Sequence, residues 1–307
     1  MRLIRLFVTV VLAWTVLATG VSAQNGLERF EREIKPQIQL DKFTYGGSQP
    51  LGDAGFVLTD LVAVIPAGPS TGDKPSTLKI DRLTVEALDF DHMKDLNDDE
   101  MPRFAKLKAE GMTGDDEMFA ALAPYGVPRV PVDLVLDYRL DSAAKRFTLN
   151  RLEIALRGQA RLGLSLVIEG VSEKSSEVAD AMDDGQLRSA SLTIDDSGLL
   201  ANLLPPLAKE QGQTPEGLVG MALVSLAAFC DGQGPATLKA LDAIASFVGD
   251  WKAPKGTLTI NLAPAKTAAL SDLDKVMEPN ALVDIFGLSA SYPATREGAA
   301  KAGPTVK

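Results

Sequence analysis

The chain has 307 residues, with 41 Asp and Glu against 31 Lys and Arg, for a formal net charge of −10. A body this acidic repels phosphate backbones and anionic headgroups, and no basic run overrides that repulsion, so nucleic acid is excluded as a partner. The one cysteine, Cys230, cannot form an internal disulfide; it closes an apolar stretch before Asp231-Gly232 and reads as a small buried hydrophobe.

The chain opens Met1-Arg2-Leu3-Ile4-Arg5, a short basic start, and continues as an uncharged apolar run over residues 6–17. Val21-Ser22-Ala23 then puts small residues at the two positions that a signal peptidase reads. The run is shorter than the ~20 apolar residues needed to span a bilayer. Residues 1–23 are therefore expected to be a cleaved signal peptide, giving an exported, periplasmic protein that begins at Gln24. Losing Arg2 and Arg5 with the leader would take the net charge from −10 to −12. No cysteine follows the site, which excludes a lipid anchor there. The other long apolar run, residues 218–229, is too short to cross a membrane, so no span is expected after cleavage.

Residues 24–292 read as a single α+β domain, and residues 293–307, nearly devoid of large apolar side chains, as a disordered tail. The first half alternates with period two. Val132, Leu134, Leu136, Tyr138 and Leu140 share one face, with Asp133, Asp137, Arg139 and Asp141 on the other. Leu162, Leu164, Leu166 and Ile168 repeat the pattern. Between them Phe147 and Leu149 occupy odd positions but Leu152, Ile154 and Leu156 even ones, so a β-bulge is expected at Asn150-Arg151. Short connections at residues 141–145 and 158–159 suit hairpins, which predicts a curved, mostly antiparallel sheet.

The second half reads as helical. Leu199, Leu200, Leu203, Leu204 and Leu207 recur at helical spacing, with Pro205-Pro206 expected to break or kink the segment. Thr214-Pro215-Glu216 is a helix start, Thr as cap and Pro at the first turn. The helix that follows is apolar nearly all round, and is expected to be enclosed by the sheet and its neighbours, so that Leu223→Asp would prevent folding. Pro235 opens a further helix, and alternation returns over residues 256–262.

An internal repeat is expected over about residues 78–138 and 147–196. Ile80-Asp81-Arg82-Leu83-Thr84-Val85 matches Leu149-Asn150-Arg151-Leu152-Glu153-Ile154, and Ala109-Glu110-Gly111-Met112 matches Ile168-Glu169-Gly170-Val171. Each copy then runs through a segment, 113–126 or 172–185, with the signals of a capped helix. The repeated unit is strand–strand–helix–strand. The first copy carries an acidic insertion around residues 89–100.

No residue is assigned a catalytic, cofactor-binding or metal role. Asp95, Asn97 and Asp99 have the spacing of a calcium loop's first ligands. Glu100 stands where that loop needs Gly, and Lys106 where it needs the bidentate Glu. His92, the only histidine, has no Cys or His companion for zinc and reads as an exposed loop residue. Ser76…Lys79 and Ser142…Lys145 match Ser-x-x-Lys, but neither opens a helix that would hold a nucleophile. The pairs Asp115-Asp116, Asp183-Asp184 and Asp195-Asp196 fall at helix edges, where dipole compensation explains them. Trp251 reads as a packing anchor.

Strands ending in Glu-Gly, the stretch Ser191-Leu192-Thr193-Ile194-Asp195-Asp196-Ser197-Gly198-Leu199 with its leucine-rich continuation, and the Gln-Gly-Gln-Thr-Pro-Glu-Gly of residues 211–217 give the chain a resemblance. Over about residues 76–262 it resembles uncharacterised exported proteins of Gram-negative bacteria grouped as AsmA-like and YdgA-like. The resemblance implies a curved β-rich body with helices on its concave side and carries over no catalytic residue. AsmA-like proteins are associated with envelope lipid handling, although this chain lacks their great length and membrane-spanning start. The expected function is accordingly non-enzymatic: an envelope protein binding an apolar ligand such as a lipid between sheet and helices. The alternatives are a scaffold or adaptor for another envelope protein and, third, an unrecognised hydrolase.

Overall fold

The computed structural model describes residues 25–68, 74–94, 101–115, 126–171 and 185–293. The expected leader, residues 95–100 of the acidic insertion, residues 116–125 and 172–184 of the two expected capped helices, and residues 294–307 lie outside them.

Twelve strands form one open sheet in which every pairing is antiparallel. They are β1 (Lys42–Thr44), β2 (Gly47–Leu51), β3 (Gly55–Ile65), β4 (Ser76–Leu88), β5 (Phe104–Gly114) and β6 (Val132–Asp141). Then come β7 (Arg146–Leu156), β8 (Ala160–Glu169), β9 (Gln186–Asp196), β10 (Leu258–Leu262), β11 (Ala268–Ala269) and β12 (Leu288–Ser291). From β3 to β10 the order in the sheet is the order in the chain; β1 and β2 both pair with β3, and β11 pairs with β9. The fold is thus α+β with an antiparallel sheet, as the alternation implies.

Register turns the alternation into continuous rows. Leu136 faces Leu152, which faces Leu164, then Leu192, then Ile260. Two residues away along the strands, Leu134, Ile154, Leu162, Ile194 and Leu258 form a second row. The expected bulge is present: Asp137 pairs with Arg151 and Tyr138 with Leu149, leaving Asn150 as the extra residue. One inserted residue restores the same face on both sides of the slip.

A second irregularity crosses β3, β4 and β5. Leu58 and Leu61, Ile80 and Leu83, and Ala109 and Met112 are all buried although each pair is three residues apart. Asp60 adopts φ 52° and Gly111 φ 68° at this crease. The Gly111 N–H leaves the ladder and donates to Asp133 Oδ1 at 2.8 Å. Only a residue without Cβ takes this conformation freely, which explains the Glu-Gly signature here. The strand–strand–strand order recurs in β4–β5–β6 and β7–β8–β9, but the registers differ. Leu83 faces Ala109, two residues before Gly111, whereas Leu152 faces Leu164, six before Gly170, an offset of four.

The apolar face is plugged at both ends. At the start of the chain α1 (Gly26–Arg29), capped by Asn25 accepting from Glu28 N–H at 3.0 Å, runs into a π-helical turn, Phe30–Ile34, and a 3-10 turn, Lys35–Gln37. Phe30 and Ile34 are fully buried, and the Phe30 ring stacks on Phe56 at 4.5 Å. Gly26 lies so close to Gly55 that a Cβ there would meet backbone atoms at 2.3–2.7 Å. The large core holds this plug together with β3–β5, Phe90, Met93, Tyr138 and Leu149. A smaller core at the other end joins Leu187, Ala268, Leu270 and Phe286, under a 3-10 segment, Leu270–Met277.

The remaining helices are α2 (Leu199–Glu210), α3 (Pro215–Phe229), α4 (Pro235–Gly249) and α5 (Ala281–Asp284). Two expectations are revised here. First, the segment is not broken at Pro205 and Pro206: α2 runs through both as one helix. The missing N–H groups would have bonded the carbonyls of Ala201 and Asn202. Asn202 is exposed, and both helix ends are held: Asp196 binds the first turn, and Gln211 N–H donates to the Leu207 and Ala208 carbonyls. Second, α3 is superficial rather than enclosed. Its start is as expected, with Thr214 Oγ1 accepting from Gly217 N–H at 3.1 Å. Of its residues, however, only Val219 is buried; Leu223 is half-buried, Met221 46% exposed and Val224 70% exposed. It packs between α2 and α4 and turns its outer side to solvent. Leu223→Asp is therefore no longer expected to abolish folding.

Candidate functional site

The residues weighed from sequence scatter over the fold. His92 is not exposed: it lies in a 3-10 turn, Phe90–Met93, with its side chain 19% accessible and Nδ1 2.8 Å from the Oδ2 of buried Asp89. Asp89 Oδ2 also accepts from Arg103 N–H at 2.9 Å, and Asp89 N–H donates to the Phe104 carbonyl, so the pair closes the base of the insertion. The expectation overlooked that apolar neighbours Phe90 and Met93 dock this turn in the large core. Asp95, Asn97, Asp99 and Glu100 lie outside the described residues. Lys106 sits on β5 and pairs with Glu86 at 2.5 Å.

Ser76 and Lys79 stand three apart on β4, which sends them to opposite faces. Ser76 is buried and its Oγ donates to Asp115 Oδ1 at 2.9 Å; Lys79 is exposed. Ser142 and Lys145 belong to the β6–β7 turn, where Lys145 has φ 48° and points outward. Neither pair forms a nucleophile and base. Trp251 is 7% exposed, consistent with a packing role, and Cys230 is half-buried with Sγ donating to the Leu226 carbonyl at 3.3 Å. Asp116, Asp183 and Asp184 are outside the described residues. Among the described residues no three His, Cys, Asp or Glu side chains are grouped as metal ligands.

A buried cation that sequence reasoning missed lies in the N-terminal plug. Lys35, 5% exposed, contacts Glu31 Oε2 at 2.7 Å and the Tyr45 hydroxyl at 3.0 Å. Desolvation pulls its ammonium down from 10.5 to about 8, and burial pushes the Tyr45 phenol up. Between about pH 8 and 10.5 the unfolded chain holds the Lys35 proton more tightly than the folded one, so this contribution rises with pH and is lost as pH falls through about 8. The raised Tyr45 acts in the opposite sense, and only above pH 10. Relative to Lys35→Met, the protein is expected to gain about 1–3 kcal/mol between pH 8 and 10. Urea melts across that range check it; parallel curves for the two proteins would refute it.

The polar face of the sheet carries a hollow of about 580 Å³ lined by Glu86, Lys106, Lys108, Glu110, Asp133 and Glu153 among others. Its charges satisfy one another. Lys108 pairs with Glu110 at 2.7 Å, Arg151 with Glu153 at 2.6 Å and Arg157 with Asp133 at 2.7 Å. The Arg157 guanidinium holds the Asp133 carboxyl below its usual range. Such a lattice of exposed pairs offers no net charge to a ligand.

The apolar face offers more. Between the two plugs the rows across β6–β9 are half-covered: Leu134, Leu136, Leu152, Ile154, Leu164, Leu192 and Ile194 are intermediate, and Leu162 is 41% exposed. Leu162 is flanked in register by Ile154 and Ile194, so the exposure lies inside an apolar row rather than on a rim. At the end of the strands that carry this row stands Asp196, 6% exposed. Its Oδ1 accepts from Leu199 N–H at 2.8 Å, Leu200 N–H at 3.3 Å and Gly198 N–H at 3.4 Å, capping α2 as a helix-edge carboxylate is expected to. Its Oδ2 is covered and unpartnered among the described residues.

A family model described as "Uncharacterized protein" matches residues 153–293, from β7 to just past β12. That is less than half of the chain, and it takes in the half-covered rows of β8 and β9, Asp196 and all of α2–α5. No curated protein matches the chain. Among the described residues no helix is long and apolar enough to cross a membrane.

Proposed function

We propose that this is an exported, non-enzymatic envelope protein that holds an apolar ligand such as a lipid against the half-covered stretch of its sheet. The observation that carries the reading is Leu162, a large apolar side chain 41% exposed in the middle of an apolar row. Burying apolar surface gains about 25 cal/mol per Å², so a chain laid along the rows of Leu152, Leu164 and Leu192 would be held by the same force that folds the sheet. The resemblance of residues 76–262 to AsmA-like and YdgA-like envelope proteins supports the same reading. The hydrolase alternative is the weaker one: the Ser76 hydroxyl is committed to Asp115, and the His92 Nδ1 lies against Asp89.

A scaffold or adaptor role is the second reading, favoured by the outer side of α3, where Met221 and Val224 stand in solvent. Native mass spectrometry of the protein purified from its own envelope separates the two. A co-purifying lipid is the expected result; a stoichiometric protein partner with no lipid would replace the carrier by the adaptor.

A further inference from the structure

We infer that the ligand is an amphiphile whose polar end donates a hydrogen bond, an alcohol or amine head, and that Asp196 Oδ2 receives it. The inference rests on the apolar-ligand reading above and specifies its chemistry. Successive side chains alternate along a strand, so Asp196 falls on the same face as Ile194 and Leu192, at the end of β9, paired in register with Ala160. Leu162 faces Ile194 across the neighbouring strand. A ligand chain lying on Leu162 and Ile194 therefore ends beside Asp196.

The two carboxylate oxygens have separate fates. Oδ1 is committed to the first turn of α2 by three backbone N–H groups, which fixes the carboxylate in place. Oδ2 has no partner among the described residues and is covered, so the head reaches it by displacing what covers it. A buried acceptor left unmet is unfavourable, and a donor brought to it makes a charge-assisted bond. A free fatty acid would set its own carboxylate against Asp196 and is excluded as the preferred ligand. An ester or ether head, which only accepts, is likewise disfavoured, because it leaves Oδ2 unmet.

The test uses a neutral pair, since the chain's net charge of −10 would favour any amine non-specifically. Dodecan-1-ol and its methyl ether share a chain and differ in the ability to donate. Each is titrated against the full exported protein by displacement of a polarity-sensitive dye. The alcohol is expected to bind about tenfold more tightly or better, the size of effect a single charge-assisted hydrogen bond supplies. Asp196→Asn keeps an oxygen for capping α2 and can turn an N–H toward the head, so it is expected to erase or reverse the preference. Equal affinities for the two compounds in the unmutated protein would overturn the donor-head inference while leaving the apolar-ligand reading intact. Binding of neither compound would overturn both. The comparison on the unmutated protein stands even if Asp196→Asn fails to fold.

Discussion

Phe30→Ala is expected to destabilise the protein by about 3–5 kcal/mol, the range for removing a fully buried aromatic ring. Phe30 has no exposed surface, stacks on Phe56 at 4.5 Å with an 18° interplanar angle, and holds the N-terminal plug against β3. Relaxation of the plug into the space left behind is restricted, because Gly26 is already in close approach to the Gly55 backbone. Against a typical stability of about 5–15 kcal/mol the loss is a large fraction of the whole. A urea melt followed by circular dichroism measures it. A loss below about 1 kcal/mol would mean that the plug is an ornament on the sheet and that the core forms without it.

The second large effect is a contrast between two leucines on the same face. Leu83→Asp places a carboxylate where no surface is exposed, between Leu58 and Ala109 in register. An unpaired buried charge costs several kcal/mol at least, so soluble protein is not expected to accumulate. Leu162→Asp puts the same group at a position that is 41% exposed, where the carboxylate can stay hydrated. That variant is expected to fold, with a stability change within about 1 kcal/mol, and to lose the co-purifying lipid. If Leu162→Asp instead fails to fold, the row is part of a closed core and the apolar-ligand proposal falls. If it folds and retains the lipid, the ligand lies elsewhere.

The strands between residues 132 and 169 are legible almost to the residue, because their side chains alternate cleanly and a one-residue slip has only one physical meaning. Leu149 and Leu152 can share a face only if Asn150 is extra, and the register shows it so. The Thr214 cap is legible for the same local reason. Burial is less so. The hydropathy of residues 218–229 states what α3 is made of, not what lies beside it, and two flanking helices proved to be its main neighbours, leaving Val224 in solvent. His92 erred in the other direction: it sits among acidic residues in the chain but beside Phe90 and Met93 in the core. The candidate site divides along this line. Leu162, Leu164 and Ile194 could be assigned to one face from alternation, and Asp196 to a helix edge. That one Asp196 oxygen is covered and unmatched depends on three-dimensional packing, which no local pattern carries.

The unequal plugs have a consequence for how the molecule opens. The main cluster at one end of the sheet holds twenty buried residues among those described; the other end has a cluster of four, with Leu258, Leu288 and the α4 residues Leu241 and Phe247 buried separately. Opening free energies follow local burial, so amides of β3–β5 should exchange with solvent only through global unfolding. Those of β10–β12 should exchange through smaller fluctuations. The boundary between the two regimes falls at β8 and β9, the strands that carry Leu162 and Asp196. A ligand seated there would slow exchange in the C-terminal strands by tying them to the better-anchored half, and so report its own binding far from where it touches.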